Sequence, residues 1–440
     1  MTGAIKDSDN RAVVGTDEKR RLTFGFVGFS ILTVLAVCSV LMVFLGVPMG
    51  ASYWGIFNNF LDLDVYRHGG SMVVQGRPLY DGPVLQGMMF TYTPFAALLF
   101  TGWAVLSLQD AAVVWTVLNV AALLAVVVLC WKYLGYRLDV RAYAVSVLAT
   151  AIFLFMEPIR TTLWLGQINI FLLLLIVWDL GREESSRLRG IGAGIAAGVK
   201  LTPAFFWVYL FVTRQWRALV IAVTTFGATI ALGFVFIFGD AKKYWTGTLF
   251  ESDRVGRTDT PSNQSVSGLI AQLTHTPTPS KVLVIAVSLV AVCLGLSAAW
   301  FAHRQGQKLL GLTLTGMTAT TVSPFSWGHH WVWFVPLVIL AAHYALASGK
   351  LWAWVFPLFC LLPVLNWSHT WWDPTVIPGT DRFVGMGLFM FVTPEYLRIP
   401  TRGIYLWVFV AVALAALIVF GWKKWTVPIP TAYVPAAHPS

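Results

Sequence analysis

Charged residues are scarce in this chain, which argues against a soluble globular protein. Asp, Glu, Lys and Arg make up 11% of its 440 residues, whereas a typical soluble domain carries about 25%. Hydrophobic residues account for 57% of the chain, so lipid must solvate a large part of its surface. The composition therefore predicts an all-α polytopic membrane protein.

Cysteines are few and nucleotide-binding motifs are missing. The four cysteines lie in or at the ends of apolar runs and form no CxxC pair, so we expect buried apolar side chains and no zinc site or disulfide framework. The sequence holds neither a P-loop nor a GxGxxG motif. Its net charge of +10 is spread over short loops without a basic stripe. We therefore expect no nucleotide and no nucleic acid as a partner.

Long apolar runs predict about twelve membrane-spanning helices, because about 20 apolar residues cross a bilayer and shorter runs suffice inside a bundle. The first run follows a basic segment and is too long for the core of a signal peptide. The apolar segment 91–108 is interpreted as a helix on the outer face, because this keeps most Lys and Arg on the cytoplasmic side. The predicted spans are 24–47, 111–131, 142–157, 163–180, 188–199, 201–213, 218–239, 282–302, 308–325, 331–347, 351–367 and 403–422.

The first long outer loop carries an acidic and basic cluster directly after the first span. Asp62, Asp64, Arg67 and His68 lie within seven residues, and at helical spacing Asp62 and Asp64 point in different directions. A carboxylate near apolar surface has a raised pKa and can act as a general base. The alternative is a solvated loop in which an Asp caps a helix.

A second polar group lies around two predicted spans, where Glu157 and Arg160 have the spacing of a helical ion pair. Gln167 and Asn169 then enter the following span. Polar side chains at membrane depth usually face a bundle interior or a cavity. Hydrogen bonding between helices would explain them equally well.

Isolated cations and amides occur further along. Lys200 stands alone between apolar runs and needs an anionic partner, either a carboxylate or a bound phosphate. A lysine that extends to the membrane interface is the alternative. Arg254, Asn263 and Gln264 lie in a long outer loop and either bind phosphate or sugar hydroxyls or are simply solvated.

Two adjacent histidines, His329 and His330, follow Trp327 at a predicted outer span boundary. Adjacent histidines do not form the i,i+4 pair of a helical metal site. An interfacial aromatic belt explains the tryptophans but not the histidines. We find no comparable mixed cluster at the predicted inner face. An enzyme with this arrangement needs an activated donor already in the membrane, and a lipid-phosphate-linked sugar fits.

Several ordered segments between about residues 58 and 335 carry a resemblance to a known family. They are NFLDLDVYRHGG, GRPLYDGPVL, FTYTPFAALLF, EPIRTTLWLGQINIFLLL, GVKLTPAFF, YWTGTLFESDRVG, SNQSVSG and SPFSWGHHWVW. Together they resemble the signature segments of actinobacterial polyprenyl-phosphate-mannose-dependent α-(1→2)-mannosyltransferases, which are glycosyltransferase family 87-like membrane enzymes. The family motif TYPP reads Thr91-Tyr92-Thr93-Pro94 here, and this loss of one proline bears on the exact turn and not on the fold.

The resemblance implies a glycosyltransferase C fold with periplasmic surface helices in the first outer loop. It also implies a catalytic transmembrane module and a variable one, with the active site on the periplasmic side of the bacterial inner membrane. The expected divisions are a cytoplasmic N-terminus at 1–23, a catalytic module at 24–239 with loop 48–110, a variable module at 240–422 with loops 240–281 and 368–402, and a cytoplasmic tail at 423–440.

For the chemistry, the resemblance implies an inverting transfer of mannose from polyprenyl-phosphate-mannose to the 2-hydroxyl of a mannose on a phosphatidylinositol mannoside or lipomannan acceptor. The family's catalytic Asp matches Asp62, and Asp64 is a secondary candidate. The scheme requires no metal, although the two carboxylates together could bind one. The expected phosphate ligands are Lys200, Arg254, Arg160 and His330. The expected sugar and acceptor contacts are His329, Tyr66, Gln167, Asn169, Glu157, Asn263, Gln264 and Trp327.

Two other functions stay open from the sequence. A transporter or flippase of a lipid-linked sugar would also need polar groups at membrane depth, but it predicts paired repeats that are not evident here. An arabinofuranosyl- or glucosyltransferase of the same fold is the other alternative.

Overall fold

The computed structural model describes residues 20–22, 24–45, 55–251, 256–370, 383–391 and 394–422, and most of them are helical. The predicted termini 1–23 and 423–440 therefore lie almost wholly outside the described residues. The helices are α1 Phe26–Leu45, α2 Leu61–Val74, α3 Pro94–Phe100, α4 Leu108–Tyr133, α5 Val140–Phe153, α6 Glu157–Leu165, α7 Asn169–Gly181, α8 Ile191–Val199, α9 Phe205–Val212, α10 Trp216–Phe236, α11 Phe238–Thr246, α12 Val266–Leu273, α13 Lys281–Arg304, α14 Lys308–Val322, α15 Phe334–Ser348, α16 Val355–Leu361, α17 Glu395–Arg402 and α18 Ile404–Trp422.

Two short antiparallel hairpins accompany the helices. Strand β1 Pro83–Leu85 pairs with β2 Met88–Met89, and β3 Trp367–Thr370 pairs with β4 Phe383–Met386. The predicted helical class is confirmed, and the hairpins are an addition that hydropathy does not indicate, because each is too short to show a period-two pattern.

Five helices of the described chain are long and apolar enough to cross a membrane: α1, α4, α10, α13 and α18. A sixth candidate is the pair α6 and α7, which is bent by 120° at the intervening break. Large apolar side chains such as Val220, Val235 and Val290 are exposed on these helices, as expected of surfaces in contact with lipid. The chain is therefore a multi-pass helical membrane protein.

The remaining predicted spans are shorter helices in the structure. The predicted pair 188–199 and 201–213 becomes α8 and α9 of nine and eight residues, separated at Lys200 and Pro203. At 1.5 Å per residue, neither helix alone crosses a hydrocarbon core of about 30 Å. Within the segment 91–108, α3 has seven residues and is likewise too short to cross. The number of twelve spans stays a prediction.

A polar cluster joins the connections that lie on the predicted inner face, which corrects our expectation of none. Lys308 approaches Glu184 to 2.9 Å, and Tyr209 bonds His303 at 3.1 Å. The guanidinium of Arg217 donates to the carbonyl oxygen of Ser186. The first two contacts link residues more than 90 positions apart, a pairing that hydropathy cannot reveal.

Candidate active site

One large cavity of about 890 Å³ lies where α2, α6, the turn after α8 and the loop before α15 meet. Its wall combines charged and polar side chains with apolar ones. The predicted site residues on it are Asp62, Glu157, Arg160, Gln167, Lys200, Trp327, His329 and His330. Apolar side chains that complete the wall include Met88, Met89, Leu249, Phe389 and Met390. The cavity brings together residues from positions 61 to 390 of the chain.

The N-terminus of α2 is held against the break between α6 and α7. The backbone N–H of Phe60 donates to the carbonyl oxygen of Trp164 at 2.9 Å. Gly166 ends α6 in the left-handed region, with φ of 69°, and a Cβ there would lie 2.6 Å from the Cβ of Leu63. Glycine is therefore required both for the turn and for the close approach. This docking puts Asp62 beside Gln167.

Asp62 is half-buried and faces the cavity. Burial removes water from its carboxyl group and raises its pKa to about 6, while a hydrogen bond from Gln167 and the charge of Lys200 act in the opposite direction. The carboxyl group is thus mostly ionised at neutral pH, yet basic enough to accept a proton from a sugar hydroxyl as it reacts.

Lys200 extends from the end of α8 toward two neutral acceptors. Its ammonium nitrogen lies 3.1 Å from Oδ1 of Asn169 and 3.1 Å from Nε2 of His330, and 5.6 Å from the ring centre of Tyr92. Burial lowers the pKa of Lys200 to about 8, and the charge of Asp62 partly offsets this. Neither acceptor carries a negative charge, so the ammonium charge is available to an anion in the cavity.

His330 is held as a neutral imidazole. Burial, followed by the charges of Lys200 and His329, lowers its pKa, and a hydrogen bond to the backbone of Phe325 opposes the shift. With Nε2 accepting from the ammonium, Nδ1 carries the proton, an assignment that rests on the hydrogen-bond pattern. His330 therefore orients the lysine.

His329 is 6% exposed and lines the same cavity. Its Nε2 atom has no hydrogen-bond partner among the described residues, whereas its backbone oxygen accepts from Nδ2 of Asn169 at 3.0 Å. A buried polar nitrogen on a cavity wall costs free energy unless a ligand or water satisfies it. His329 thus differs from His330, whose Nε2 bonds Lys200.

Glu157 and Arg160 both lie on the first turn of α6. The carboxylate of Glu157 accepts from Tyr405 at 2.7 Å and from Thr161 at 2.9 Å. The guanidinium of Arg160 lies 5.9 Å from the ring centre of Trp164. Both residues are buried in the protein but line the cavity.

Other predicted residues lie away from the cavity wall. Asp64 pairs with Arg67 at 2.6 Å and lies 3.2 Å from Nδ1 of His68. Tyr66 is completely buried behind the wall. Asn169 is not on the wall but contacts three residues that are: Lys200, His329 and Gln167.

The outer-loop amides hold the loop that precedes the histidines. Oδ1 of Asn263 accepts from the backbone of Ser326 at 2.9 Å, and the side chain of Gln264 donates to the carbonyl oxygen of Arg402 at 2.7 Å. Neither amide is on the cavity wall. Arg254 lies outside the described residues, so its expected role stays a prediction.

Two tyrosines at the site were not among the predicted residues. Tyr92 lines the cavity and bonds Gln167, and Tyr405 bonds Glu157 from the start of α18. Tyr92 lies inside the TYTP segment, one of the segments that carry the family resemblance, and this segment could have indicated it as a site residue. Tyr405 gave none, because a tyrosine at the end of an apolar run is typical of a membrane interface.

Comparison with known proteins gives consistent results. The model of glycosyltransferase family 87 matches residues 90–324. A polyprenol-phosphate-mannose-dependent alpha-(1-2)-phosphatidylinositol mannoside mannosyltransferase of Mycobacterium tuberculosis is 33% identical over 315 residues, covering 67% of this chain and 74% of that protein. A polyprenol-phosphate-mannose-dependent alpha-(1-2)-phosphatidylinositol pentamannoside mannosyltransferase of Mycolicibacterium smegmatis is 32% identical over 384 residues, covering 85% and 89%. No solved structure matches the chain. The family match spans more than half of the 440 residues, and the chain therefore belongs to glycosyltransferase family 87.

Proposed function

We propose that this protein transfers mannose from polyprenyl-phosphate-mannose to the 2-hydroxyl of a mannose on a phosphatidylinositol mannoside or lipomannan acceptor. The activities for which its relatives are named support the donor and the α-(1-2) linkage. The observation that carries the proposal is the meeting of Asp62 and Lys200, 138 positions apart, on one cavity with apolar walls. Such a cavity offers a base to the acceptor and a cation to a lipid phosphate.

The reaction that fits is a single displacement with inversion at the anomeric carbon. A lone pair of the acceptor hydroxyl forms the new C–O bond, while the bond from the anomeric carbon to the phosphate oxygen breaks and leaves its electron pair on that oxygen. The hydroxyl proton passes to the carboxylate of Asp62. A β-linked donor then gives an α-linked product, and one carboxylate suffices.

The donor phosphate is proposed to lie against Lys200, with Arg160 as a second cation on the wall. The leaving group is already a phosphate, so it needs charge stabilisation more than a proton. A fixed ammonium in a site with little water provides this at low reorganisation cost. The scheme uses neither a metal ion nor a nucleotide.

The acceptor is proposed to occupy the part of the cavity between Glu157, Trp327 and His329. The carboxylate and the unpartnered imidazole nitrogen suit sugar hydroxyls, and the indole offers a face on which a pyranose ring can stack. The apolar wall formed by Met88, Met89 and Phe389 suits the prenyl chain of the donor or an acyl chain of the acceptor.

The membrane arrangement proposed with this function is a glycosyltransferase C fold of about twelve spans. Residues 24–239 would form the catalytic module and 240–422 the variable one, with the cavity at the periplasmic face of the bacterial inner membrane. The excess of Lys and Arg in the predicted inner segments supports this orientation. Cysteine accessibility at an outer and an inner loop of intact cells would test it.

The direct test is mannose transfer by the purified full chain in detergent, where no transport can occur. Asp62→Asn should abolish transfer while donor binding persists, because the amide cannot accept the proton. Asp110→Asn is the matched control, since Asp110 is an exposed carboxylate in the first turn of α4 that accepts a hydrogen bond from Ser107. Turnover of Asp62→Asn close to that of the unmodified protein would overturn the assignment of the base.

A further inference from the structure

The side-chain oxygen of Gln167 lies within reach of three donors. The hydroxyl of Tyr66 is 3.0 Å away, that of Tyr92 is 3.1 Å away, and Nδ2 of Asn169 is 3.4 Å away. The two hydroxyl oxygens are themselves 2.7 Å apart. If one hydroxyl donates to the other, the second still donates to Gln167, so the amide oxygen always faces a proton.

This arrangement fixes the direction of the amide. An amide carries an oxygen that only accepts and a nitrogen that only donates, so an oxygen surrounded by donors forces the nitrogen to the opposite side. The nitrogen is thereby left for the cavity, which Asp62 also lines, and the Gln167 amide lowers the pKa of the Asp62 carboxyl group. A rotated amide would place its oxygen against the carboxylate and its nitrogen against the donors.

We propose that Gln167 is a positioning residue for Asp62, held in orientation by the Tyr66–Tyr92 pair, and that it does not bind the acceptor. The inference rests on the proposed function, in which Asp62 is the base. Through Gln167, the two buried tyrosines influence a reaction although Tyr66 does not contact the substrate.

The burial of the pair supports this role over contact with a substrate. Tyr66 has no exposed surface and is stacked on Phe100 with ring centres 4.4 Å apart. Tyr92 is 7% exposed. Burial raises the pKa of both phenols, so they remain protonated donors wherever Asp62 is ionised.

The first experiment is the pH dependence of kcat/KM for Gln167→Met in the purified full chain. Methionine keeps the length of the side chain but cannot donate. Loss of a hydrogen bond to a charged group raises the pKa of the base, so the acidic limb should move up by about one pH unit. The KM values for donor and acceptor should stay within about threefold of the unmodified protein, because the side chain provides no substrate contact.

The second experiment is a double-mutant cycle of Tyr66→Phe and Tyr92→Phe. Each single variant leaves one hydroxyl that can donate to Gln167, so each should change kcat by only about twofold to threefold. The double variant should lower kcat by more than the product of the single effects, because only the longer contact to Asn169 then orients the amide. Tyr209→Phe is the control, since Tyr209 is equally buried but bonds His303 away from the cavity.

The outcomes separate this inference from the proposed function. If Asp62→Asn is inactive but Gln167→Met raises the acceptor KM with an unmoved acidic limb, Gln167 binds the acceptor and only the inference fails. If the effects of Tyr66→Phe and Tyr92→Phe on kcat simply multiply in the double variant, the inference also fails. The double-mutant cycle gives this answer even if Gln167→Met does not fold. If Asp62→Asn transfers mannose normally, the proposed function itself fails.

Discussion

The rate of transfer should depend on pH as a bell centred near neutrality, because the two charged groups at the cavity have converging pKa values. Asp62, at about 6, must be ionised to accept a proton, and Lys200, at about 8, must be protonated to hold a phosphate. Asp62 loses its charge as the pH falls through its pKa, and Lys200 loses its charge as the pH rises through its own. Activity is therefore greatest between the two values.

The size of the effect follows from these values. At pH 5 about one carboxyl group in ten remains ionised when its pKa is about 6, so kcat/KM should fall about tenfold below the plateau. A carboxyl group with the ordinary pKa of about 3.9 would lose less than about a tenth of its activity at the same pH. The two cases are easily told apart.

The assay measures transfer of labelled mannose from the lipid donor at saturating and at limiting acceptor concentration. Rates are measured at about ten evenly spaced pH values between pH 4.5 and pH 9.5. Folding is monitored at each pH by thermal unfolding, so that unfolding of the protein is not mistaken for a change in the protonation of Asp62 or Lys200. A rate that stays constant down to pH 5 would refute a buried base. Residual transfer by Asp62→Asn should lack the acidic limb.

Three further changes test the site. Lys200→Met should raise the KM for the donor about tenfold to a hundredfold, the value of a hydrogen bond to a charged group, and an unchanged donor KM would exclude Lys200 as the phosphate ligand. Gly166→Ala should lower the free energy of unfolding by about 1–3 kcal/mol through backbone strain and contact with Leu63, measured by thermal unfolding, and a neutral result would contradict the docking of α2. Asp64→Asn should retain kcat within about threefold, because the Asp64 carboxylate pairs with Arg67 and is not on the cavity wall. A loss as large as that of Asp62→Asn would make Asp64 part of the catalytic machinery.

The sequence was informative about class and about the residues that meet at the cavity, because both depend on local signals. Hydropathy is a local property, and it predicted the long helices α1, α4, α10, α13 and α18. Charged residues between apolar runs are equally visible, and they pointed to Asp62 and Lys200. The broken helices on either side of Lys200 were also suggested by the following Pro203.

The remaining details depend on pairings that sequence order does not reveal. Asp62 and Asp64 both looked suitable as the base, and only the docking of α2 on Gly166 turns Asp62 toward the cavity while Asp64 meets Arg67. From the family resemblance, Tyr66 is expected to contact the sugar or the acceptor. Its place behind the wall follows from its stacking on Phe100, a contact between residues 34 positions apart.

The partners of each charged residue separate those available to a substrate from those that stabilise the fold. Asp64 is paired with Arg67, and Glu184 with Lys308, so their charges are largely compensated within the protein. Among the described residues, no ion pair within 4.0 Å is formed by Asp62 or Lys200. Their close partners are neutral: Gln167 for the carboxylate, and Asn169 and His330 for the ammonium.

Neutral partners fix the direction of a charged group without cancelling its charge. A salt bridge at either position would hold the side chain equally well, but the substrate would then have to break it before using the charge. Burying a charge without a counter-ion costs stability, which the converging pKa values of Asp62 and Lys200 reflect. A protein selected only for stability would pair these two groups. Their place on one cavity without an ion pair between them is understandable if a negatively charged phosphate and a proton-donating hydroxyl complete the site during the reaction.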